Sequence, residues 1–522
     1  MTYVAVSVNA SKDADVLKPL QFKHQQQRPE PCQPGTRAEI LAACEAWAND
    51  DHAPNILWVK GVPGAGKSAV MSSLVSNLRL KKDRLGSDFA FNRQDSNIST
   101  TGAVWKNAAY DMARHPAVRK DLVEKLRKDQ IDLRTPSIDE LFRQLIKEPL
   151  SKIHGIPVEQ SPIVIIDALD ECGGLEGSRS KERQRLMATL VSWSKLPSNF
   201  KLIVSSREED DIAQTFRQNP PTTIDLLAGE VTAKQSKRDI QAFLAQKFRQ
   251  IAVGYSTLPV DWPGPQVLES LATKANGLFI WASTVVQYIA PGPVTTLLKE
   301  ILRGEGMDDM DQLYTQVLLT AFPGLREDVK QDARALLGAI MVAKRTLDVT
   351  TLSKLLSIEP PRTEHICNRL RSVLENEGGI KFRHQSFVDF LLTSRESEYS
   401  LQISVCNQTM VARCLGAMKT GLHFNICDIS SSAVLNDEIL EKITSLEEHI
   451  PTHLQYASQY WVAHLHNTPY NEGIVTGVRY FLKFQLLSWL EVTSFCRFVN
   501  EANGMLVSLV RWLKVRASYN TC

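Results

Sequence analysis

Several features that would narrow the function are missing from this 522-residue sequence. Net charge is almost absent: 60 Lys and Arg against 58 Asp and Glu leave +2. That balance counts against a protein built mainly to coat nucleic acid. The nine cysteines are odd in number, scattered, and free of paired metal-ligand spacing. This excludes a disulfide framework or zinc module and points to reduced thiols. No low-complexity tract and no clear repeat period is present. The N-terminus, MTYVAVSVNASKDAD, lacks a positive start followed by an apolar core, so no signal peptide is expected. The most apolar late stretch, Phe481 to Val515, is broken by Lys483, Glu491, Arg497, Glu501 and Arg511, which excludes a membrane span. A soluble, cytoplasmic protein of several domains is the expectation, since the chain is too long for one core.

What is present centres on ILWVKGVPGAGKSAVMSSLV, Ile56 to Val75. An apolar run reads as a buried strand, and Gly61 to Ser68 fits the phosphate-loop pattern G-x-x-x-x-G-K-S. Ala69, Val70, Leu74, Val75 and Leu78 then recur at helical spacing. Strand, glycine turn and helix, in that order, are the context the pattern requires. Gly61, Gly64 and Gly66 allow backbone N–H groups to turn inward. The loop of Val62, Pro63, Ala65 and Ala69 around them opens onto a helix N-terminus. Lys67 would neutralise nucleotide phosphates, and the Ser68 hydroxyl would hold Mg²⁺. A nucleoside triphosphate is the expected ligand.

Along the chain, residues 1–34 read as an extended polar leader. Residues 35–225 read as an α/β P-loop NTPase domain with a doubly wound parallel sheet. A helix from GTRAEILAACEAWAND, capped by Thr36, should pack beside the phosphate-loop strand. Strands are expected near Phe89–Phe91, at IVII before Asp167, and at LIVSS before Arg207. A helix is expected from about Lys181 to Trp193. Residues 226–306 read as a helical domain with a break at Asn276–Gly277. Residues 307–395 read as a winged-helix domain: a helix Asp328–Val342, a TLDVT strand, helices Thr351–Ser357 and Thr363–Leu374, a GGIKFRH wing strand and a last helix. Residues 396–522 read as helices alone.

The run IVIIDALDE supplies the second half of a nucleotide site. Asp167 at a strand end would hold Mg²⁺ through water. Asp170 or Glu171, just beyond, would orient or deprotonate an attacking water, and spacing does not choose between them. Arg207, after a strand adjoining the acidic one, would contact the γ-phosphate through its forked donors. His384 reads on its own as a capping or packing residue. Cys172 has no histidine placed to make it a nucleophile.

The ordered set GVPGAGKS, IVIIDALDEC, LIVSSRE, GLFIWA, LYTQVL and FRHQSFVDFL resembles the fungal NACHT-type NTPases of the STAND class, from about Gly35 to Ser394, and more loosely through HLQYASQYWVAHL. The resemblance implies a switch that rests with ADP and is activated by exchange for ATP, then oligomerises and is reset by slow hydrolysis. It implies an effector or sensor partner. It assigns Lys67 and Ser68 to the phosphate-loop pair, Asp167 to Mg²⁺, Asp170 and Glu171 to hydrolysis, and Arg207 to the sensor role. His384 is similar to a winged-helix histidine at the ADP β-phosphate, and Arg37 resembles a residue near the adenine. Two departures stand out. GLFIWA lacks the proline that animal and plant relatives often carry near the adenine. No effector domain is recognisable before Gly35, and no WD, ankyrin or tetratricopeptide repeats follow. The alternative from the same residues is a turnover ATPase acting on nucleic acid through the winged helix.

Overall fold

The computed structural model describes residues 13–21, 28–81, 84–93, 101–128, 131, 133, 137–153, 155–174, 180–227, 234–259, 261–303, 310–322, 327–394, 398–429 and 446–517. These fall into two compact units, 1–310 and 311–522.

The first unit is built on five strands: β1 (Ile56–Gly61), β2 (Leu85–Ala90), β3 (Ile163–Asp167), β4 (Lys201–Ser206) and β5 (Thr222–Leu226). All pair in parallel in the order β2-β3-β4-β1-β5. The strands β1, β3 and β4 are nearly continuous apolar runs because both faces of a parallel sheet are covered. Side chains alternate between the faces. Trp58, Ile166 and Val204 enter one core with Trp105, Leu190 and Phe216. Leu57, Val59, Ile165 and Ile203 enter the other with Trp47, Val70 and Leu74. Each fully buried aliphatic side chain contributes about 1.5–3 kcal/mol. A register slip of one residue would exchange the two sets, so the cores fix the pairing.

This layout is the expected α/β, doubly wound parallel sheet, and it places β4 between the phosphate-loop strand and the acidic strand. The helix Lys67–Leu80 follows the loop, and Lys181–Trp193 has the predicted ends. The strand β5 was not anticipated. Its exposed positions are polar, as suits a sheet edge, and so it has no continuous apolar run.

Local expectations fail in two further places of this unit. The helix Ala38–Ala48 packs against the helix Lys67–Leu80 and shares a core with Leu57 and Val59 of the phosphate-loop strand, but Thr36 does not cap it. Arg37 stands at the N-cap in a left-handed conformation, φ 56°, and the Thr36 hydroxyl donates to the Gln33 carbonyl instead. The polar leader is not extended throughout: residues 13–17 are helical, Lys18–Leu20 form a 3-10 turn, and Leu17 and Leu20 are buried in the first core. Two apolar side chains give that turn an anchor its polar composition hides. Residues 1–12 and 22–27 of the leader lie outside the described residues.

After the sheet the first unit continues as helices Lys234–Val253, Pro265–Lys274, Phe279–Ile289 and Val294–Arg303. The predicted break falls where Asn276 and Gly277 take positive φ, 47° and 83°.

In the second unit a helix Glu327–Val342 precedes helices Val349–Leu356 and Pro360–Arg369. A short antiparallel hairpin, β6 (Leu374–Glu375) and β7 (Lys381–Phe382), and a helix Gln385–Thr393 follow. The TLDVT segment forms a single bridge, Leu347 to Ile380, rather than a strand. The third helix starts earlier than expected because Pro360 at its first turn suits a helix start. Leu374 is taken by the hairpin. Helices Ile403–Gly421, Thr452–His466, Glu472–Phe484, Leu486–Phe495 and Val499–Ala517 complete it. Buried His464 bonds the Tyr456 hydroxyl at 2.8 Å and the Asn407 side-chain Oδ1 at 2.9 Å. Among the described residues no helix is long and apolar enough to cross a membrane.

Candidate functional site

The residues singled out in the first unit converge at the C-terminal ends of β1, β3 and β4. The loop after β1 turns through Gly64 (φ 79°) and Gly66 (φ 94°), conformations that a side chain strains. The Ala65 N–H donates to the Val62 carbonyl at 3.3 Å, closing the loop. Lys67 begins the following helix, and its ammonium donates to the carbonyls of Gly61 (2.8 Å) and Val62 (3.0 Å). Burial lowers the Lys67 pKa from its usual value, against the upward pull of Asp170, Asp167 and Glu171. A desolvated cation at the mouth of a glycine loop is a preformed partner for phosphate.

Asp167 ends β3 and is buried. The Ser68 hydroxyl donates to its carboxylate at 3.3 Å, and the Ser205 hydroxyl, from β4, donates to the same oxygen. Ser205 also accepts from the Ala168 N–H at 3.0 Å. Ala168 adopts φ 55° at the start of the 3-10 turn Leu169–Glu171, which carries Asp170 and Glu171. The hydroxyl–carboxylate pair is a hard-oxygen donor set of the kind Mg²⁺ takes, so Ser68 and Asp167 fit that ion.

Asp170 is buried, and it is paired. Arg207, just past β4, donates its backbone N–H to one Asp170 carboxylate oxygen at 3.1 Å and its Nε to the other at 3.1 Å. Glu171 accepts from the Arg93 N–H at 3.0 Å. Burial and then the Asp170 charge push the Glu171 carboxyl up to about 7. A carboxyl poised there can accept a proton near neutrality, whereas the Asp170 carboxylate is engaged by Arg207. Cys172 is buried and its thiol is pushed up to about 12, which suits a packing role.

Arg37 reaches the outer side of the phosphate loop. Its guanidinium donates to the Ala65 carbonyl (2.8 Å) and the Ser236 hydroxyl (2.9 Å), and lies 4.9 Å from the Phe279 ring centroid. Its backbone N–H donates to Asp239 at 3.1 Å. The GLFIWA segment meets the same loop: the Ile280 N–H donates to the Gly64 carbonyl at 3.2 Å.

His384 belongs to the second unit. There it caps the helix Gln385–Thr393, accepting the Ser386 N–H on Nδ1 at 3.1 Å. Tyr314 of LYTQVL bonds Ser386 Oγ at 2.7 Å and packs on Phe387 and Phe390, so these two motifs share one core.

Sequence reasoning missed four participants: Ser205, Arg93, Arg183 and Ile280. For Arg183 a signal existed. It lies at helical spacing with Leu186, Met187, Leu190 and Trp193, on the face that is buried.

Comparison with known proteins places the chain beside several others. Residues 35–207 match the family model described as nephrocystin 3, N-terminal. The sequence is 23% identical over 501 residues to the vegetative incompatibility protein HET-E-1 of Podospora anserina, covering 88% of this chain and 34% of that protein. The chain therefore spans about a third of that relative's length. Among solved structures, it resembles a STAND protein with a tetratricopeptide repeat sensor from Pyrococcus horikoshii. Identity there is 14% and the TM-score 0.42, over 95% of this chain and 65% of that one. It also resembles the ADP form of the Aeropyrum pernix ORC2 protein, at 12% identity and a TM-score of 0.33, over 76% of this chain and 98% of that one.

Proposed function

We propose that this protein is a nucleotide-dependent switch that rests with ADP, is activated by ATP and is reset by slow hydrolysis. The observation that carries this reading is the joining of Lys67, Ser68, Asp167, Glu171 and the Asp170–Arg207 pair at one sheet end, with GLFIWA bonded to the same loop. When bound, Mg²⁺ would supply charge neutralisation for the phosphates, held by Ser68 and Asp167. Lys67 binds phosphate oxygens, Glu171 takes a proton from water, and Arg207 is released from Asp170 to contact the γ-phosphate. Arg37 steadies the loop on which the nucleotide rests.

The domain divisions at 35, 226, 307 and 396 belong to this reading, as does a winged helix over 307–395. So do a cytoplasmic location, assembly of activated copies, and a separate effector or sensor protein. The name of the Podospora relative suggests a role in non-self recognition. His384 is proposed to help retain ADP.

Identifying the nucleotide released on denaturation tests this reading. Near-stoichiometric ADP from the wild type, absent from Lys67→Ala, supports it. An empty site with brisk multiple-turnover hydrolysis refutes the switch and favours a turnover ATPase.

A further inference from the structure

Arg183 is the least accessible charged group near the site, with a side chain 0% exposed. A buried guanidinium is tolerated only where its partners compensate for lost water, so those partners define its job. One Arg183 nitrogen donates to the backbone carbonyl of Asp170 at 3.1 Å. The other donates to Glu209 at 2.7 Å and to Asp211 at 2.8 Å. Glu209 lies two residues beyond Arg207. One side chain therefore holds both the turn that carries Asp170 and Glu171 and the segment that carries Arg207.

Arg93 repeats the connection. Its guanidinium donates to the same Asp170 carbonyl at 2.8 Å, its N–H donates to Glu171 at 3.0 Å, and it lies 3.9 Å from Glu209. Two cations thus share one carbonyl and one carboxylate behind the Asp170–Arg207 pair.

We propose that Arg183 is a positioning residue for nucleotide hydrolysis, fixing the acidic turn and the Arg207 segment in mutual register through Asp170, Glu209 and Asp211. This rests on the hydrolytic reading above. Arg183 makes no contact with the phosphate loop among the described hydrogen bonds, so it acts on the rate and leaves ground-state affinity to Lys67 and its loop. Misplacement of catalytic groups by about 1 Å costs on the order of a hundredfold in rate.

The test compares the 522-residue wild type, Arg183→Lys, Arg183→Met and the double variant Glu209→Ala/Asp211→Ala. The double variant removes the acceptors of the same clamp from its more exposed side, should Arg183→Met not fold. Single-turnover ATP hydrolysis, equilibrium binding of a fluorescent ATP analogue and thermal melting are read together. The expected result is a fall in hydrolysis of about tenfold or more with affinity within about threefold of wild type, and partial recovery in Arg183→Lys over Arg183→Met. Rates within about twofold of wild type in the folded double variant would overturn the proposal. Parallel loss of affinity, rate and melting temperature would do the same, by making the role structural. Wild type that binds ATP without hydrolysing it overturns the hydrolytic reading and this proposal together. Wild-type hydrolysis matched by every variant overturns this proposal alone.

Discussion

Ile280 occupies the space that a side chain on Gly64 would need. A Cβ built on Gly64 would lie 1.9 Å from Ile280 Cγ2, and the Ile280 N–H donates to the Gly64 carbonyl at 3.2 Å. The helical segment after the sheet thus rests on the phosphate loop at its tightest point. Gly64→Ala meets both a clash and a left-handed φ of 79°, costs of about 1–3 kcal/mol each. The expected outcome is weakened nucleotide binding and a lower melting temperature. Adding Ile280→Ala removes the Cγ2 clash but leaves the residue's Cβ 2.8 Å from the new methyl, so it should recover part of the steric share and none of the backbone share. A double-mutant cycle on melting temperature measures that coupling, and strict additivity would show that the two residues do not press on each other.

Lys67→Ala should abolish nucleotide binding without weakening the fold. The Lys67 ammonium is desolvated and bonded to the Gly61 and Val62 carbonyls, and burial lowers its pKa. Its charge is therefore a burden on the nucleotide-free protein. Melting of the nucleotide-free variant should match or exceed that of nucleotide-free wild type, while calorimetric titration with ADP shows no heat of binding. A variant that melts well below wild type would mean that Lys67 holds the loop together.

Glu171 gives the site a pH signature of two opposite signs. Its carboxyl titrates at about 7 in the folded protein against an ordinary value of 4.5. Between those values the folded chain keeps a proton that the unfolded chain has released, so stability is present in acid and lost as pH rises through about 7. Activity runs the other way, because only the ionised carboxylate accepts a proton. Single-turnover hydrolysis should rise through pH about 7, and Glu171→Gln should abolish the rise. The Gln variant should also melt higher than wild type at pH about 8, with the gap closing toward acid. A flat rate profile would return the base role to Asp170.

The phosphate loop, the acidic strand end and the parallel sheet were legible because each is a local pattern. Apolar runs, glycines and the residues they position lie within a few positions of one another. What stayed hidden was set by distant contacts. Arg37 stands out in the sequence only through the family resemblance, and its bonds to Ala65, Ser236 and Asp239 join it to residues up to some two hundred positions later. Arg183 sits in the charged stretch KERQR, where composition suggests a solvated face. Only the spacing of Leu186 and Leu190 marks it as inward. Ser205 reads as a strand-end serine until β4 is known to lie beside β3.

His384 separates two roles that a single alanine substitution would confuse. Its Nδ1 accepts the Ser386 N–H at the start of the helix Gln385–Thr393, so the imidazole is a helix cap whatever else it does. Accepting there leaves the ring proton on Nε2. Loss of a cap costs about 1 kcal/mol, and His384→Ala should lower the melting temperature accordingly. Asparagine accepts the same backbone N–H, so His384→Asn should keep the cap while removing the imidazole. The measurement is ADP retained through purification in both variants. If retention falls in both, the imidazole itself is needed, as the proposed nucleotide role requires. If it falls in His384→Ala and returns in His384→Asn, the histidine acts through the helix it caps, and the proposed phosphate contact is wrong.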